Sequence, residues 1–237
     1  RMGENLSFTY DDLYQLTSEK EHEYLFDVYN NRLSKDSNRV TFNALNQSSE
    51  LTYNLDGNPK ALKDKKLTYD AFDRLTSIED GPKTLFNTYD SFHRRLSKKV
   101  YEANVLILER YYLYDGQNEI GSVDASHNFV ELRVLGSTPS AEIGSSLAFE
   151  LHGEFFIPFH DLHGNISALY SPSTGVYERY AYTAFGEERF SSPPSLNPWR
   201  FSSKRTDEET GLVYYGRRYY DPEMGRWLTP DPLGLEA

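Results

Sequence analysis

The stretch Thr68-Tyr69-Asp70-Ala71-Phe72-Asp73-Arg74-Leu75 decides the fold, because variants of it recur along the chain. The Asp70 carboxylate can accept hydrogen bonds from backbone N–H groups two residues further on. Asp73, three residues after Asp70, is a residue type that tolerates a positive φ. An aliphatic residue, Leu75, then begins the next run. The stretch therefore predicts a strand, an Asx-started turn, a left-handed residue and a returning strand.

The Tyr-Asp pair of this stretch is an internal repeat, a feature that sets the fold when it is present. Clear copies are Thr9-Tyr10-Asp11, Thr68-Tyr69-Asp70, Thr88-Tyr89-Asp90 and Leu113-Tyr114-Asp115. Degenerate copies are Leu25-Phe26-Asp27, Thr41-Phe42-Asn43, Thr52-Tyr53-Asn54, Phe159-His160-Asp161 and Ala181-Tyr182-Thr183. The early aromatic positions lie 16, 16, 11, 16 and 20 residues apart. Two strands of about five to six residues and a short turn need that length.

The position three residues after each Asp, or after its equivalent, is nearly as regular. Eight of its nine residues tolerate a positive φ, and the nine are Tyr14, Asn30, Asn46, Gly57, Asp73, His93, Asn118, Gly164 and Gly186. At Leu33 and Leu96 the next aliphatic residue comes one position later, which predicts a turn longer by one residue. Since an active site needs one constellation rather than nine, these Asp residues are interpreted as turn formers.

The composition agrees with strands and excludes several functions. Aromatic residues make up 15% of the 237 residues and suit a half-buried pleated surface. The net charge of -11 argues against a nucleic-acid partner, which needs clustered Lys and Arg. The basic cluster of Arg94, Arg95 and Lys98-Lys99 is interpreted as a solvated face. No cysteine is present, and no stretch reaches the roughly 18 apolar residues of a membrane helix.

The sequence thus predicts an all-β fold, a long antiparallel sheet of successive β-hairpins. Residues 137–140 and 191–195 are predicted loops, and one short helix is predicted between Ala141 and Phe149. Arg1 does not lead into an apolar signal segment, so we expect a fragment of a longer protein. Two regions are predicted from the motifs, a hairpin strip over residues 1–130 and a less regular region over residues 131–237.

The less regular region contains long motifs with many fixed positions. They include Arg179-Tyr180-Ala181-Tyr182-Thr183-Ala184-Phe185-Gly186, the run Asp207-Glu208-Glu209-Thr210-Gly211-Leu212 and the block from Gly225 to Pro232. With the Tyr-Asp repeats, these motifs resemble the RHS/YD-repeat family, in particular its RHS-repeat-associated core domain at residues 131–237. The resemblance covers nearly the whole chain, and its most specific part lies between Asp207 and Pro232.

The resemblance implies a curved strip that forms part of a hollow shell around a C-terminal toxin domain. It implies a structural, non-catalytic segment of a secreted or cell-surface polymorphic toxin. The partners that it implies are the protein's own toxin domain, neighbouring shell repeats and an export machinery. A third hypothesis is an adhesion or carbohydrate-binding sheet, in which exposed aromatic residues stack on sugars. The second hypothesis, a self-cleaving module, is described next.

The family's core domain is known for aspartate-dependent self-cleavage, which the resemblance carries to Asp207, Asp221 and Asp231. Many members have Arg directly before the first of these residues, where this chain has Thr206. We expect the bond that is cut to lie beyond Ala237. The alternative interpretation is that Asp221 and Asp231 only start Asp-Pro turns.

His160 and His163 form a His-x-x-His pair, a spacing that also occurs in metal sites. The pair coincides with a turn motif of the repeat, so we expect no metal there and no cofactor elsewhere. The chain has no Gly-x-Ser-x-Gly nucleophile motif and no phosphate-binding glycine loop. A hydrolase or a nucleotide-dependent enzyme is therefore not expected.

Overall fold

The computed structural model describes residues 7–137, 143–191 and 196–231. Contacts divide the chain into two compact units, Arg1–Lys63 and Asp64–Ala237. The first unit contains β1 (Phe8–Tyr10), β2 (Leu16–Glu19), β3 (His22–Phe26), β4 (Arg32–Lys35), β5 (Asn38–Arg39) and β6 (Ala61–Leu62). Strands β1 to β5 form one antiparallel sheet in the order of the chain.

The second unit contains a long run of antiparallel strands, called the long sheet. Its strands are β7 (Lys65–Tyr69), β8 (Leu75–Asp80), β9 (Lys83–Tyr89), β10 (Arg95–Glu102), β11 (Val105–Asp115), β12 (Asn118–Val123), β13 (Phe129–Leu135), β14 (Ser146–Leu151), β15 (Glu154–His160), β16 (Ile166–Ser171), β17 (Gly175–Tyr182) and β18 (Glu188–Ser191). Each strand pairs with the next one in the sequence, so the sheet is a series of hairpins. The predicted all-β hairpin sheet is confirmed.

A smaller antiparallel sheet follows and is called the C-terminal sheet. Its strands are β19 (Arg205–Asp207), β20 (Leu212–Tyr214), β21 (Tyr219–Asp221) and β22 (Arg226–Trp227). One turn of 3₁₀ helix, Phe201–Ser203, precedes it and is the only helical element of the described residues. The predicted division at residue 130 rests on motif content, which the contacts do not test, and it stays a prediction.

The Asp70 turn shows why the repeat produces hairpins. The Asp70 N–H donates to the Arg74 carbonyl at 3.1 Å, and the Asp73 N–H donates to the Asp70 carbonyl at 3.1 Å. The Asp70 carboxylate accepts from the N–H groups of Phe72 and Arg74 at 2.9 and 3.1 Å. Asp73 has a φ of 59°, so the turn needs a residue that tolerates the left-handed region.

Eight of the nine predicted left-handed positions have a positive φ, including Tyr14 at 61°. Asn118 is the exception, because Asp115 pairs directly with it and Gly116 takes the positive φ of a shorter turn. One turn with the geometry of the Asp70 turn, at Asp124, was not predicted from the sequence, because no aromatic residue precedes this Asp. There His127 has a φ of 63° and its N–H donates to the Asp124 carbonyl.

Two predictions about local structure are wrong. The turns before Leu33 and Leu96 have the same length as the Asp70 turn. The N–H groups of Asp27 and Asp90 donate to the carbonyls four residues further on, as the Asp70 N–H does. Residues 146–149 of the predicted helix at 141–149 belong to β14 instead, because residues 146–151 pair with β13 and β15. Residues 138–142 and 192–195, which include most of the two predicted loops, lie outside the described residues.

A hydrophobic cluster of the second unit lies between the long sheet and the segment that leads into the C-terminal sheet. Trp199 is fully buried and its ring centroid lies 5.0 Å from that of Phe149. The cluster contains Phe149, Leu151, Phe156, Ile166, Leu169, Tyr180 and Trp199. This packing brings β19 onto one face of the long sheet, and that face carries the candidate site.

Candidate functional site

Strand β19 presents two opposite charges to the long sheet. Arg205 and Asp207 are separated by Thr206, so both side chains point to the same face of the strand. Both are buried, Asp207 with only 1% of its surface exposed. Buried charges need partners of opposite sign, and the long sheet supplies them at two places.

The first place holds the Asp207 carboxylate between two cations of β10. Arg95 donates through Nη1 and Nη2 to Oδ2 and Oδ1 of Asp207, at 2.5 and 3.2 Å. Lys98 Nζ donates to Oδ1 of Asp207 at 3.1 Å and to Glu209 Oε2 at 2.8 Å. Burial alone raises the pKa of Asp207, but Arg95 and Lys98 hold that pKa well below its usual range.

Arg95 stands where two other repeats have a buried aliphatic residue. It comes five residues after Asp90, as Leu75 comes five residues after Asp70 and Ile166 five residues after Asp161. Leu75 is 3% exposed and Ile166 is fully buried, so an Arg at this position is carried into the interior by the fold.

Aromatic rings complete the Arg95 site. The guanidinium carbon lies 4.3 Å from the ring centroid of Tyr112 and 4.4 Å from that of Tyr214. Nη1 also donates to the Tyr219 hydroxyl at 2.7 Å. Since Tyr214 and Tyr219 belong to β20 and β21, Arg95 contacts three strands of the C-terminal sheet, counting β19.

The second place holds Arg205 between two carboxylates. Arg205 Nε donates to Glu119 Oε1 at 2.7 Å, and Nη1 lies 2.7 Å from Glu131 Oε1. Glu119 also accepts from Trp199 Nε1 at 3.1 Å, and Glu131 accepts from the Ser122 hydroxyl at 2.8 Å. The long sheet therefore offers a basic site on β10 and an acidic site on β12 and β13, matched to Asp207 and Arg205.

Asp221 has a different environment, at the end of β21. Its Oδ1 accepts from the N–H groups of Glu223 and Met224 at 2.8 and 3.1 Å, so it starts the turn to β22. Asp207 pairs with Leu212 on β20, and β21 lies on the far side of β20. The Cα atoms of Asp207 and Asp221 are thus separated by two strand spacings, about 10 Å.

Asp231 follows the C-terminal sheet and is half exposed. Its Oδ2 lies 2.8 Å from Arg218 Nη2, and the Arg218 guanidinium carbon lies 4.4 Å from the Trp227 ring centroid. The three aspartates therefore have three environments: a buried double ion pair, a turn, and a surface ion pair. Their part in self-cleavage stays a prediction.

His160 is the last residue of β15, and His163 lies in the turn between β15 and β16. The His163 N–H donates to the Asp161 carboxylate at 2.8 Å, as in the other Asx turns. Burial lowers the pKa of His160. Among residues 7–137, 143–191 and 196–231, no group of three or more His, Cys, Asp or Glu side chains is placed to hold a metal ion.

The interpretation of the basic cluster as a solvated face is wrong for two of its members. Arg95 and Lys98 point to the face that β19 covers and are 0% and 6% exposed. Lys99 points to the opposite face and pairs with Glu109 at 2.6 Å. The signal in the sequence was the basic residue at the aliphatic position of the repeat.

Three comparisons relate this architecture to known proteins. A family model described as Teneurin YD-shell matches residues 148–236. The tRNA3(Ser)-specific nuclease WapA of Bacillus spizizenii is 30% identical over 232 residues, 89% of this chain and 10% of that protein. Teneurin-4 of Mus musculus is 28% identical over 221 residues, 76% of this chain and 8% of that protein.

A solved structure shares the fold. The structure of the Photorhabdus luminescens Tc holotoxin pore superimposes with a TM-score of 0.73 at 19% identity, covering 97% of this chain and 14% of that one. The chain spans 10% of the length of the WapA proteins of B. spizizenii and B. subtilis. These matches, together with the hairpin sheet and the motifs between Asp207 and Pro232, place the chain in the RHS/YD-repeat family.

Proposed function

We propose that this chain is a structural segment of the β-shell of an RHS-type polymorphic toxin, and that the shell encloses a C-terminal effector domain. The WapA relatives are nucleases by name, and the matched solved structure described above is that of a Tc holotoxin pore. The effector of this protein, its neighbouring shell repeats and its export machinery are part of the same proposal. So is a secreted or cell-surface location. No helix in the described part of the chain has the length and apolar character to cross a membrane.

The observation that carries the proposal is the second apolar face of the long sheet. Along β15, Phe156 and Pro158 are buried while Phe155, Ile157 and Phe159 are 64%, 45% and 53% exposed. Such alternation normally places polar residues on the outer face of an antiparallel sheet. Apolar residues on both faces indicate that the second face contacts other protein, which the interior of a shell provides.

Retention of the effector tests this proposal. In the full-length protein, Phe155→Glu and Ile157→Glu place charges on the second face without touching the core, so we expect weaker retention of the effector. The readout is the fraction of effector that comigrates with the shell in size-exclusion chromatography after a protease cuts the connection between them. Leu162→Glu, at a fully exposed turn residue, is the matched control.

Retention that is equal in the wild type, the two face variants and the control would show that this face does not hold the effector. Loss of retention in the control as well would point to general destabilisation. Melting temperatures of all four proteins separate the two outcomes, because the face variants are expected to melt within a few degrees of the wild type.

A second candidate function is self-cleavage that releases the effector. The observation that favours it is the burial of Asp207 against Arg95 and Lys98. Asp207 lies at the same end of the C-terminal sheet as Asp221. In such a reaction one water molecule is consumed. Its oxygen enters the new carboxyl group, and one of its protons goes to the new amine.

Single substitutions test self-cleavage directly. Asp207→Asn, Asp221→Asn and Asp231→Asn in the full-length protein should reduce the appearance of a separate C-terminal fragment on a denaturing gel. Asp124→Asn is the control, because Asp124 also accepts hydrogen bonds from backbone N–H groups of a turn but lies in the long sheet. Wild-type cleavage in all three variants would exclude these aspartates from the reaction.

A further inference from the structure

We propose that Arg95 and Lys98 are positioning residues for the self-cleavage, which they support by holding Asp207 as a permanent carboxylate that does not supply a proton. This inference rests on the second candidate function. It assigns a role to two residues of β10, which precede Asp207 by 112 and 109 positions in the sequence.

The hydrogen bonds of Asp207 leave its carboxylate surrounded by donors. Oδ2 accepts from Arg95, while Oδ1 accepts from Arg95 and from Lys98. A protonated carboxyl group would direct its own O–H at one of these cationic donors. Charge-assisted hydrogen bonds of this kind favour the ionised form of the acid.

The acidic groups around Asp207 either stay neutral or pair with Lys98. Titratable and charged groups face the site from every strand packed against it: Tyr89 on β9, Arg95 and Lys98 on β10, Tyr112 on β11, Tyr214 on β20, Tyr219 on β21, and Glu209 after β19. Burial raises the pKa of these tyrosines, so they stay neutral. Glu209 pairs with Lys98 rather than with Asp207.

The position of Asp221 agrees with this assignment. A pair of carboxyl groups that shares one proton needs its oxygens close together, at about 3 Å. Asp207 and Asp221 stand on strands separated by β20, with Cα atoms about 10 Å apart. Asp207 therefore contributes a fixed negative charge and the orientation of β19, while proton transfer belongs to other groups.

The pH dependence of cleavage by the full-length protein tests the inference. If the ionised form is needed, cleavage is lost as the pH falls through the pKa of Asp207, which lies below the ordinary range in the wild type. Lys98→Met removes one cation, so the pKa of Asp207 should rise. The pH below which cleavage is lost should then rise by about 1–3 pH units. Cleavage at pH 3, where Asp207 of the variant becomes partly protonated while that of the wild type stays ionised, should then be slower than in the wild type by up to about ten-fold, and Lys98→Arg should restore it.

Lys99→Met is the matched control, because Lys99 is the next residue of the same strand and points to the opposite face. Glu209→Gln is a second variant, at a partly exposed position, in case Lys98→Met does not fold. It removes an anion near Asp207, so cleavage at pH 3 should equal or exceed that of the wild type.

The opposite assignment, in which Asp207 supplies a proton, predicts the opposite signs. At pH 3, Lys98→Met would then cleave faster than the wild type and Glu209→Gln would cleave more slowly. Either result overturns the inference, and so does a folded Lys98→Met protein whose cleavage depends on pH as that of the wild type does. Self-cleavage itself is not contradicted by these results. Absence of cleavage in the wild-type protein between pH 4 and 8 overturns both.

Discussion

The hydroxyl group of the repeat's Tyr has a structural role in two of the clear copies and in the degenerate copy at Tyr182. The Tyr89 hydroxyl donates to the Leu75 carbonyl at 2.7 Å, and Tyr182 donates in the same way to the Ile166 carbonyl at 2.9 Å. Tyr114 donates to the Arg95 carbonyl at 3.0 Å. In each case the acceptor begins the returning strand of the preceding turn. The Tyr thus connects one hairpin to the next.

We predict that Tyr89→Phe lowers the free energy of unfolding by at least about 1 kcal/mol, the usual net value of one intramolecular hydrogen bond. The packing of the ring is kept, while the hydrogen bonds of the hydroxyl, to the Leu75 carbonyl and to Tyr219, are lost. Urea denaturation of the two proteins measures the difference. Tyr14→Phe is the control, because Tyr14 is 89% exposed. Equal midpoints for wild type and Tyr89→Phe would contradict the role assigned to the hydroxyl.

The turn aspartates predict how stability depends on pH. Burial raises the pKa of Asp70 and of Asp90, but hydrogen bonds from Arg74 and Arg94 outweigh it, so both pKa values are lowered. The pKa of Asp36 is lowered by the Glu23 N–H and by His22. A carboxyl group with a lowered pKa in the folded state stabilises the protein above its unfolded pKa of about 3.9.

The stabilisation is lost as the pH falls through the folded-state pKa values. We therefore predict that the urea midpoint of the chain decreases slightly between pH 7 and 5, where the lowered pKa of His160 makes protonation favour the unfolded state, and decreases more steeply below about pH 4. Asp70→Asn should flatten part of this decrease, because it removes one titrating carboxylate. A midpoint that rises on acidification would contradict the account of the turns.

At the scale of elements, the Gly186 turn shows how the segment before the C-terminal sheet is fixed. Gly186 has a φ of +89°, and a Cβ placed there would lie 2.5 Å from the Phe201 ring. Phe201 in turn packs against Tyr182 and Tyr220, with ring centroids 5.9 and 6.0 Å away. The glycine therefore lets β17, the 3₁₀ turn and β21 meet.

Gly186→Ala should destabilise the protein by about 2–4 kcal/mol, since it combines left-handed strain with overpacking of an aromatic cluster. Gly175→Ala is the matched control, with a φ of +92° and no atom within 4 Å of the added Cβ. It should cost about 1–2 kcal/mol from the backbone conformation alone. Denaturation curves that show equal losses for the two variants would mean that the contact with Phe201 does not matter.

Elements also mark the limit of what the sequence can predict. The Asp70 turn was predictable because its bonds join residues within four positions of one another. The contact of Arg95 with Asp207 was not, since it joins residues 112 positions apart and depends on how two sheets pack. The strand at 146–151 was missed because its pairing partners, not its own residues, decide its conformation.

At the scale of the whole molecule, the long sheet is a strip with two apolar faces. One face is covered by the segment around Trp199 and by the C-terminal sheet, which is oriented by Arg205 and Asp207 on oppositely charged sites. The other face exposes Phe155, Ile157 and Phe159. A strip of this kind is suited to be one part of a larger β-assembly in which the second face is also covered.

A cryo-electron microscopy structure of the full-length protein tests the central claim most directly. The shell proposal predicts that the hairpins of the long sheet continue into a larger β-shell, with Phe155, Ile157 and Phe159 directed at density enclosed within it. A structure in which these three side chains face open solvent, with no enclosed density next to them, would contradict the proposal.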